Sequence, residues 1–170
     1  MKKIRYGVAM SLDGFIAGPN GEADWIVMDP EVNFAAIWAQ FDTLLMGRRT
    51  WEAAVARLGE ASMKGRKVVV VSRTLRSEDH SEIMVISDLD RMQSLRAQSS
   101  KDIWLFGGGE LFQALLDIGE VDTVEVHLIP VLLGAGVPLL GPPARQARLK
   151  LSEHKVYRSG RVSLTYEVQH

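Results

Sequence analysis

LLMGRRTWEA, residues 44–53, runs from an apolar strand into a helix and sets two arginines at the corner between them. Arginine gains little from gathering where a buried strand ends. A corner that holds a multiply charged phosphate gives it a reason to be there. A helix N-terminus offers free N–H groups and the positive end of the helix dipole, and the guanidinium fork matches phosphate oxygens.

Outward from that corner the chain alternates strands with helices. Ile4 to Met10 is apolar and strand-like, with Asp13-Gly14 and Pro19-Asn20-Gly21 as turn signals behind it. Asp29-Pro30 reads as an N-cap followed by proline at the first helical position. Phe34, Ile37, Trp38 and Phe41 then recur at helical spacing, which predicts a helix running to about Gln40. Thr43 to Met46 is a short buried strand, and Thr50 to Leu58 a helix that Gly59 stops. Lys67 to Val71 (KVVVV) is apolar on both faces, as a central parallel strand must be. Ile83 to Ile86 is a strand, and Ser87 is placed to cap a helix carrying Leu89, Met92 and Leu95. Ile103 to Phe106 is a strand, Gly107 to Gly109 a turn, Glu110 to Ile118 a helix and Val124 to Ile129 a further strand. Leu151 to Tyr157 and Arg161 to Val168 flank Ser159-Gly160 with strict alternation in the second arm, a closing antiparallel hairpin.

This order predicts an α/β fold: a mostly parallel central sheet with helices on both faces and a C-terminal antiparallel hairpin. With 170 residues and no internal repeat or linker, a single domain over 1–170 is expected. The net charge of −1 provides no general basic field for nucleic acid or an anionic membrane, so any anion must be held locally. The absence of cysteine removes thiolate chemistry and disulfides. His80, His127, His154 and His170 are scattered, which argues against a metal site. The first fifteen residues read as a strand rather than a signal peptide. No apolar run approaches the ~20 residues of a membrane span, so a cytoplasmic protein is expected.

Ligands bind beyond the carboxyl ends of strands in such a sheet. Three strand ends carry anion-binding chemistry: Gly47-Arg48-Arg49-Thr50, then Ser72-Arg73-Thr74 after KVVVV, then Gly107-Gly108-Gly109. Taken singly, each is also an ordinary surface or turn. Together they point to a dinucleotide with an additional phosphate, NADP. The Rossmann fingerprint is absent, because Phe112 stands where its third glycine belongs.

At these residues the chain resembles the dihydrofolate reductase superfamily. Met46-Gly47-Arg48-Arg49-Thr50-Trp51-Glu52 is similar to its M-G-R-x-T-W-E motif. Gly65-Arg66-Lys67 through Ser72-Arg73 resembles its second cofactor segment, and Phe106 to Phe112 its third. Outside those segments the chain looks closer to a sister branch, the reductase domain of the bifunctional riboflavin-biosynthesis deaminase/reductase. Ser11-Leu12-Asp13-Gly14-Phe15-Ile16-Ala17, Gly21-Glu22 with Trp25-Ile26, and Pro130 to Leu139 carry that likeness. The resemblance implies a dihydrofolate reductase-like three-layer sandwich that binds NADP(H). The cofactor contacts it implies are Ala9, Ile16, Gly47, Arg48, Arg49, Thr50, Val71, Ser72, Arg73, Phe106, Gly107, Gly108, Gly109, Glu110 and Leu111.

The substrate side departs from both branches. Phe106 stands where the riboflavin branch has a glutamate, and Ala23 where it has a serine. Dihydrofolate reductases carry a carboxylate fifteen residues before the methionine of the first motif, and here that position is Glu31. Glu31 is either the proton donor or a first-turn glutamate complementing a helix dipole. Asp13 either positions substrate, with a second possible role as proton source, or belongs to an ordinary Asp-Gly turn. Trp25 either lines the substrate pocket or plugs the core, and Asp29 and Phe106 complete the expected substrate contacts. Trp38 and Trp51 read as core, and His127 as a structural or interface histidine.

The resulting expectation is an NADPH-dependent reductase of a pterin-like or pyrimidine-like heterocycle, of dihydrofolate reductase or 5-amino-6-(5-phosphoribosylamino)uracil reductase type. The alternative is a non-catalytic NADP(H)-binding protein that has lost the family substrate site. A homodimer is expected, because the riboflavin-type domains pair through segments near Pro130 to Leu140.

Overall fold

The computed structural model describes residues 1–169 apart from the side chain of Glu60, and His170 lies outside the described residues. Eight strands form one sheet: β1 (Ile4–Ser11), β3 (Phe41–Gly47), β4 (Lys67–Val71), β5 (Met84–Ile86), β6 (Asp102–Gly107), β7 (Thr123–Ile129), β9 (Arg148–Val156) and β10 (Val162–Gln169). Their order across the sheet is β5-β4-β3-β6-β1-β7-β10-β9. Every pair from β5 to β7 is parallel, and β10 runs antiparallel to β7 and to β9. Two short strands, β2 (Phe15–Ala17) and β8 (Val137–Pro138), make a separate antiparallel ribbon. The expected sheet and hairpin are both present.

Strand alternation sorts the core into two layers. Ile4, Tyr6, Val69, Ile103, Leu105, Val124 and Val126 pack with Met92 and Leu95 of α3 (Met92–Gln98) and with Leu111, Phe112 and Leu115 of α4 (Gly109–Asp117). Tyr6 and Phe112 stack with ring centroids 3.9 Å apart. On the other face Leu44, Met46, Val68 and Val70 pack with Trp51 and Ala54 of α2 (Arg48–Leu58). Trp38 of α1 (Phe34–Trp38), Trp104 and Phe106 close that layer. KVVVV serves both layers, with Val69 on one side and Val68 and Val70 on the other. Among the described residues no helix is long and apolar enough to cross a membrane.

The N-terminal edge is held by one buried cation. Arg96 donates to the carbonyls of Lys2 (2.7 Å) and Glu120 (2.8 Å) and to the carboxylates of Glu120 (3.0 Å) and Asp122 (2.7 Å). Asp122 also accepts the Ile4 N–H at 2.7 Å, which sets the start of β1. Removing one partner of such a buried set costs about 3–5 kcal/mol.

Two expectations need correction. The helix expected from Asp29 to Gln40 is one short turn, Phe34–Trp38, capped by Asn33, whose Oδ1 accepts from Ala36 N at 2.9 Å. Asp29 is not its cap. One carboxylate oxygen accepts the Glu31 N–H at 2.8 Å, and the other accepts the Ser159 hydroxyl from the distant hairpin. That tertiary contact holds residues 29–33 in turns, and Phe41, read as the next helical position, is instead the buried first residue of β3. Ser87 also caps no helix. Its hydroxyl donates to Asp88 Oδ2 at 3.4 Å, and a 3-10 turn at Leu89–Arg91 leads into α3. Elsewhere boundaries move by a few residues. The most consequential is α2, which starts at Arg48, so both arginines lie in its first turn.

Candidate functional site

The three corners expected to bind anions end three adjacent strands. β3 lies between β4 and β6, with Gly47 opposite Val71 and Met46 opposite both Val70 and Gly107. Neighbouring strands sit ~4.8 Å apart, so the corners form one continuous rim. α2 and α4 both start on this rim, from Gly47 and Gly108, and neither has a side-chain cap. The first N–H groups of a helix have no intrahelical partner. Two helix N-termini therefore end on one edge with no side-chain cap hydrogen-bonded to either.

The side chains around the rim lock its shape. Thr50, in the first turn of α2, packs against the glycine turn: a Cβ at Gly108 would lie 3.0 Å from its Oγ1, and one at Gly107 3.8 Å from its Cγ2. Gly107 has φ +129°, a region that favours glycine, and the Gly107–Gly108 peptide is cis. After β4, the Ser72 hydroxyl accepts from the N–H groups of Thr74 (3.2 Å) and Leu75 (3.0 Å), folding the chain back over the strand end. Arg48 is committed to the protein, donating to Glu52 at 2.7 Å and to Thr74 Oγ1 at 3.0 Å. Arg49 and Arg73 are exposed and have no ion-pair partner among the described residues. Glu110 is exposed on the first turn of α4, whereas the Leu111 side chain is buried in the core, leaving only its backbone to face the rim.

The β2–β8 ribbon borders the third corner. A Cβ at Gly109 would stand 3.3 Å from the Pro138 carbonyl, 3.4 Å from that of Leu139 and 3.6 Å from Ile16. Ile16 thus lies beside the start of α4. Ala9 is half-buried on β1, next to β6, opposite His127 of β7. Phe106 belongs to an aromatic group with Trp104 (5.2 Å) and Trp38 (6.2 Å).

The residues expected on the substrate side are placed less uniformly. Asp13 accepts from the Ser11 hydroxyl (2.6 Å) and from the N–H groups of Gly134 (2.7 Å) and Leu133 (3.1 Å). The Ser11 bond first, then these N–H groups, draw its pKa down to about 2, so it stays ionised and clasps two loops together. Trp25 is half-buried and donates from its indole to the Glu22 carbonyl at 3.1 Å within its own loop. Asp29 is 6% exposed and also held below the usual carboxylate range, chiefly by Ser159 and then by the Glu31 N–H. Glu31 Oε1 stands 3.6 Å from Arg158 Nε, so residues 29–31 dock on the hairpin turn. A groove of about 420 Å³ lined by Trp51, Val55, Met63, Arg66 and Ile83 lies apart from the rim and contains none of the expected site residues.

Two polar side chains beside this region were not singled out for function by sequence. His127 shares a 2.8 Å hydrogen bond with Ser163, and Arg161 is 6% exposed at the start of β10. The available signal was the alternation Val162, Leu164, Tyr166, Val168, which puts 161 and 163 together on the opposite face.

Residues 2–163 match the family described as the RibD C-terminal domain. An uncharacterized protein of Bacillus subtilis (strain 168), YyaP, is 32% identical over 177 residues, covering 97% of this chain and 94% of that protein. Among solved structures, a putative riboflavin biosynthesis protein from Shewanella sp. PV-4 superposes with a TM-score of 0.84 at 26% identity over the whole of both chains. A dihydrofolate reductase from Enterococcus faecalis, complexed with NADP(H) and RAB-propyl, shares the fold, with a TM-score of 0.71 at 15% identity over 99% of this chain and 97% of that one.

Proposed function

The chain belongs to the RibD C-terminal domain family, and on that premise we propose that it is an NADPH-dependent reductase of a pterin-like or pyrimidine-like heterocycle. The observation that carries this reading is the rim formed by β4, β3 and β6, where three phosphate-type corners and two uncapped helix N-termini adjoin.

The residues present fit NADP(H). Among the described residues nothing lies within 4 Å of where a Cβ of Gly47 would stand, so the backbone there can be approached closely. The free N–H groups of α2 and α4 suit a pyrophosphate. Arg49 and Arg73, with no ion-pair partner among the described residues, suit the additional phosphate, while Arg48 braces Thr74. Ser72, Thr50, Val71 and the segment from Gly107 to Leu111 complete the cradle, and Ala9, Ile16 and Phe106 border its inner end. NADPH, when bound, supplies the hydride.

The chain's own contribution is positioning, water exclusion and a proton. Phe106, within its aromatic group, offers an apolar wall for a planar ring. Trp25 and Asp29 border the approach from the loop side. Glu31 is the proposed proton donor, since Asp13 is held ionised by three hydrogen bonds and serves as a clasp. The matched span supports taking 1–170 as one such domain, and the proposal includes a cytoplasmic homodimer.

Phe106 favours a second reading, an NADP(H)-binding protein without turnover, because an aromatic side chain fills the place of the riboflavin branch's glutamate. Oxidation of NADPH measured with a panel of pterins and pyrimidine precursors separates the two. Turnover with any member supports the reductase. Tight NADPH binding with no turnover across the panel supports the second reading.

A further inference from the structure

Arg161 has no role in the scheme above, yet it is among the most unusually placed charges in the molecule. It is 6% exposed, its Nε has no hydrogen-bond partner, and among the described residues its guanidinium has no ion-pair partner. Its backbone N–H is tied to Ser159 Oγ at 3.3 Å, and the guanidinium carbon lies 5.5 Å from the centre of the Tyr157 ring. Arginine carries five donors in a rigid fork and cannot shed its charge. A buried cation in that condition is costly, and native proteins ordinarily give such groups a partner.

Strand register shows what the partner would be next to. Ser163 pairs with His127, and His127 with Ala9. Alternation carried one residue back from Ser163 puts Arg161, Ser163, His127 and Ala9 on the same face, the one covered by α1 and α2. Residues 29–31 cross over this end of the sheet, through Asp29 to Ser159 and Glu31 to Arg158. From β6, the nearest strand of the rim, to β10 is three strand spacings, ~14 Å, which is too far for phosphates held at the rim to reach Arg161. From β1 to β10 is two, ~10 Å. The open partner position therefore lies two strands beyond Ala9, which borders the inner end of the proposed cradle.

The charges facing that position favour an anion. Lys155 pairs with Ser163 on β9 and adds a second cation. His127 is kept neutral by burial and by Arg161. Glu125, two residues before it, is engaged by Arg5 at 2.6 Å and 3.1 Å. Asp29 is the acidic neighbour, and both of its oxygens are already occupied, by the Glu31 N–H and the Ser159 hydroxyl. The Tyr157 ring stacks under Lys155 at 4.5 Å and beside Arg161.

We propose that Arg161, flanked by His127 and Asp29, is the substrate-selecting residue of this chain and binds an anionic oxygen, a carboxylate or ionised ring carbonyl, on the heterocycle lying against Ala9. The inference deepens the reductase reading and rests on it. It makes the substrate an acidic heterocycle, the reverse of a site in which a carboxylate selects a ring rich in N–H donors.

The test uses orotate, a pyrimidine bearing a carboxylate, against uracil, which lacks it. Each is titrated calorimetrically into the full chain with and without saturating NADP⁺. Wild type should bind orotate at least tenfold more tightly than uracil, and Arg161→Met should erase the difference while leaving NADP⁺ affinity unchanged. Arg161→Lys, which keeps charge but loses the fork, should fall between. Should the methionine variant fail to fold, ¹⁵N spectra of wild type decide the matter: orotate, and not uracil, should move the Arg161 Nε–H resonance. Equal affinities for the two pyrimidines, an undiminished preference in folded Arg161→Met, or an unmoved Arg161 resonance would each overturn the proposal. Failure of NADP⁺ to bind would remove the reductase reading alone, because the orotate titration without cofactor still reads Arg161 separately.

Discussion

Arg48, at the start of α2, donates a 3.0 Å hydrogen bond to Thr74 Oγ1 beyond the end of β4. Two of the three corners are thereby tied side chain to side chain. The third is joined to them through Thr50, whose side chain packs on Gly107 and Gly108. Because Arg48 is also paired with Glu52, it shapes the rim, and the cations left to meet a ligand there are Arg49 and Arg73.

Gly108→Val should abolish NADP(H) binding while the protein stays folded. The backbone at Gly108, with φ −88°, tolerates a side chain. Space does not: the Cβ alone would stand 3.0 Å from Thr50 Oγ1, and the two further methyls must enter the rim or displace Thr50. Circular dichroism with cofactor titration checks this. A folded variant of unchanged affinity would reduce the glycine triplet to a turn.

Glu31→Gln should preserve NADPH affinity and stability but reduce turnover by ~10²-fold or more, the range that general acid catalysis supplies. The loss should shrink at lower pH if the substrate can then take its proton from solvent. The structure takes Glu31 off the expected helix and sets it 3.6 Å from Arg158, so helix-dipole compensation no longer accounts for it. Normal turnover at neutral pH would make Glu31 a tether to the hairpin.

Burial, followed by the charge of Arg161, lowers the His127 pKa to about 4, against an ordinary value of 6.5, with Glu125 opposing. Between those values the unfolded chain binds a proton that the folded one refuses. Stability from this group is therefore complete above pH 6.5 and is lost as pH falls toward 4. Urea unfolding should show a loss on the order of 2 kcal/mol between pH 7 and pH 5 from this ring. His127→Gln should flatten that slope while keeping a hydrogen bond to Ser163. Identical slopes would contradict the assignment.

The homodimer should persist at micromolar concentration. β9 is exposed along its whole length at the edge of the sheet and carries Leu149, Leu151 and Val156. Leu132 and Val137, in the segment from Pro130 to Leu140, are also exposed. An exposed edge carrying apolar side chains invites pairing. Light scattering that returned a mass near 18.9 kDa would contradict it.

What the sequence disclosed follows from the range of the forces involved. The three corners were legible because each depends on local chemistry: a strand end, a glycine, an arginine or a serine hydroxyl. KVVVV and the closing hairpin were legible because their periodicity is their packing. Residues 29–33 were misread because the Asp29 carboxylate is taken by Ser159, 130 positions away, and no local window contains that bond. The helical spacing of Phe34, Ile37 and Trp38 is real, but it extends for a single short helix before β3 begins at Phe41. Arg161 was missed for a related reason. Its setting comes from strand pairing with β7 and from the Asp29 loop above it, and in sequence it is only the first residue after a Ser-Gly turn.

The measurement that bears most directly on the central claim is the affinity of the protein for NADPH against NADH, by fluorescence quenching of its tryptophans. Arg49 and Arg73 should meet the additional phosphate, and NADPH should bind at least tenfold more tightly, a difference of about 1.4 kcal/mol. Equal dissociation constants for the two cofactors would contradict the account.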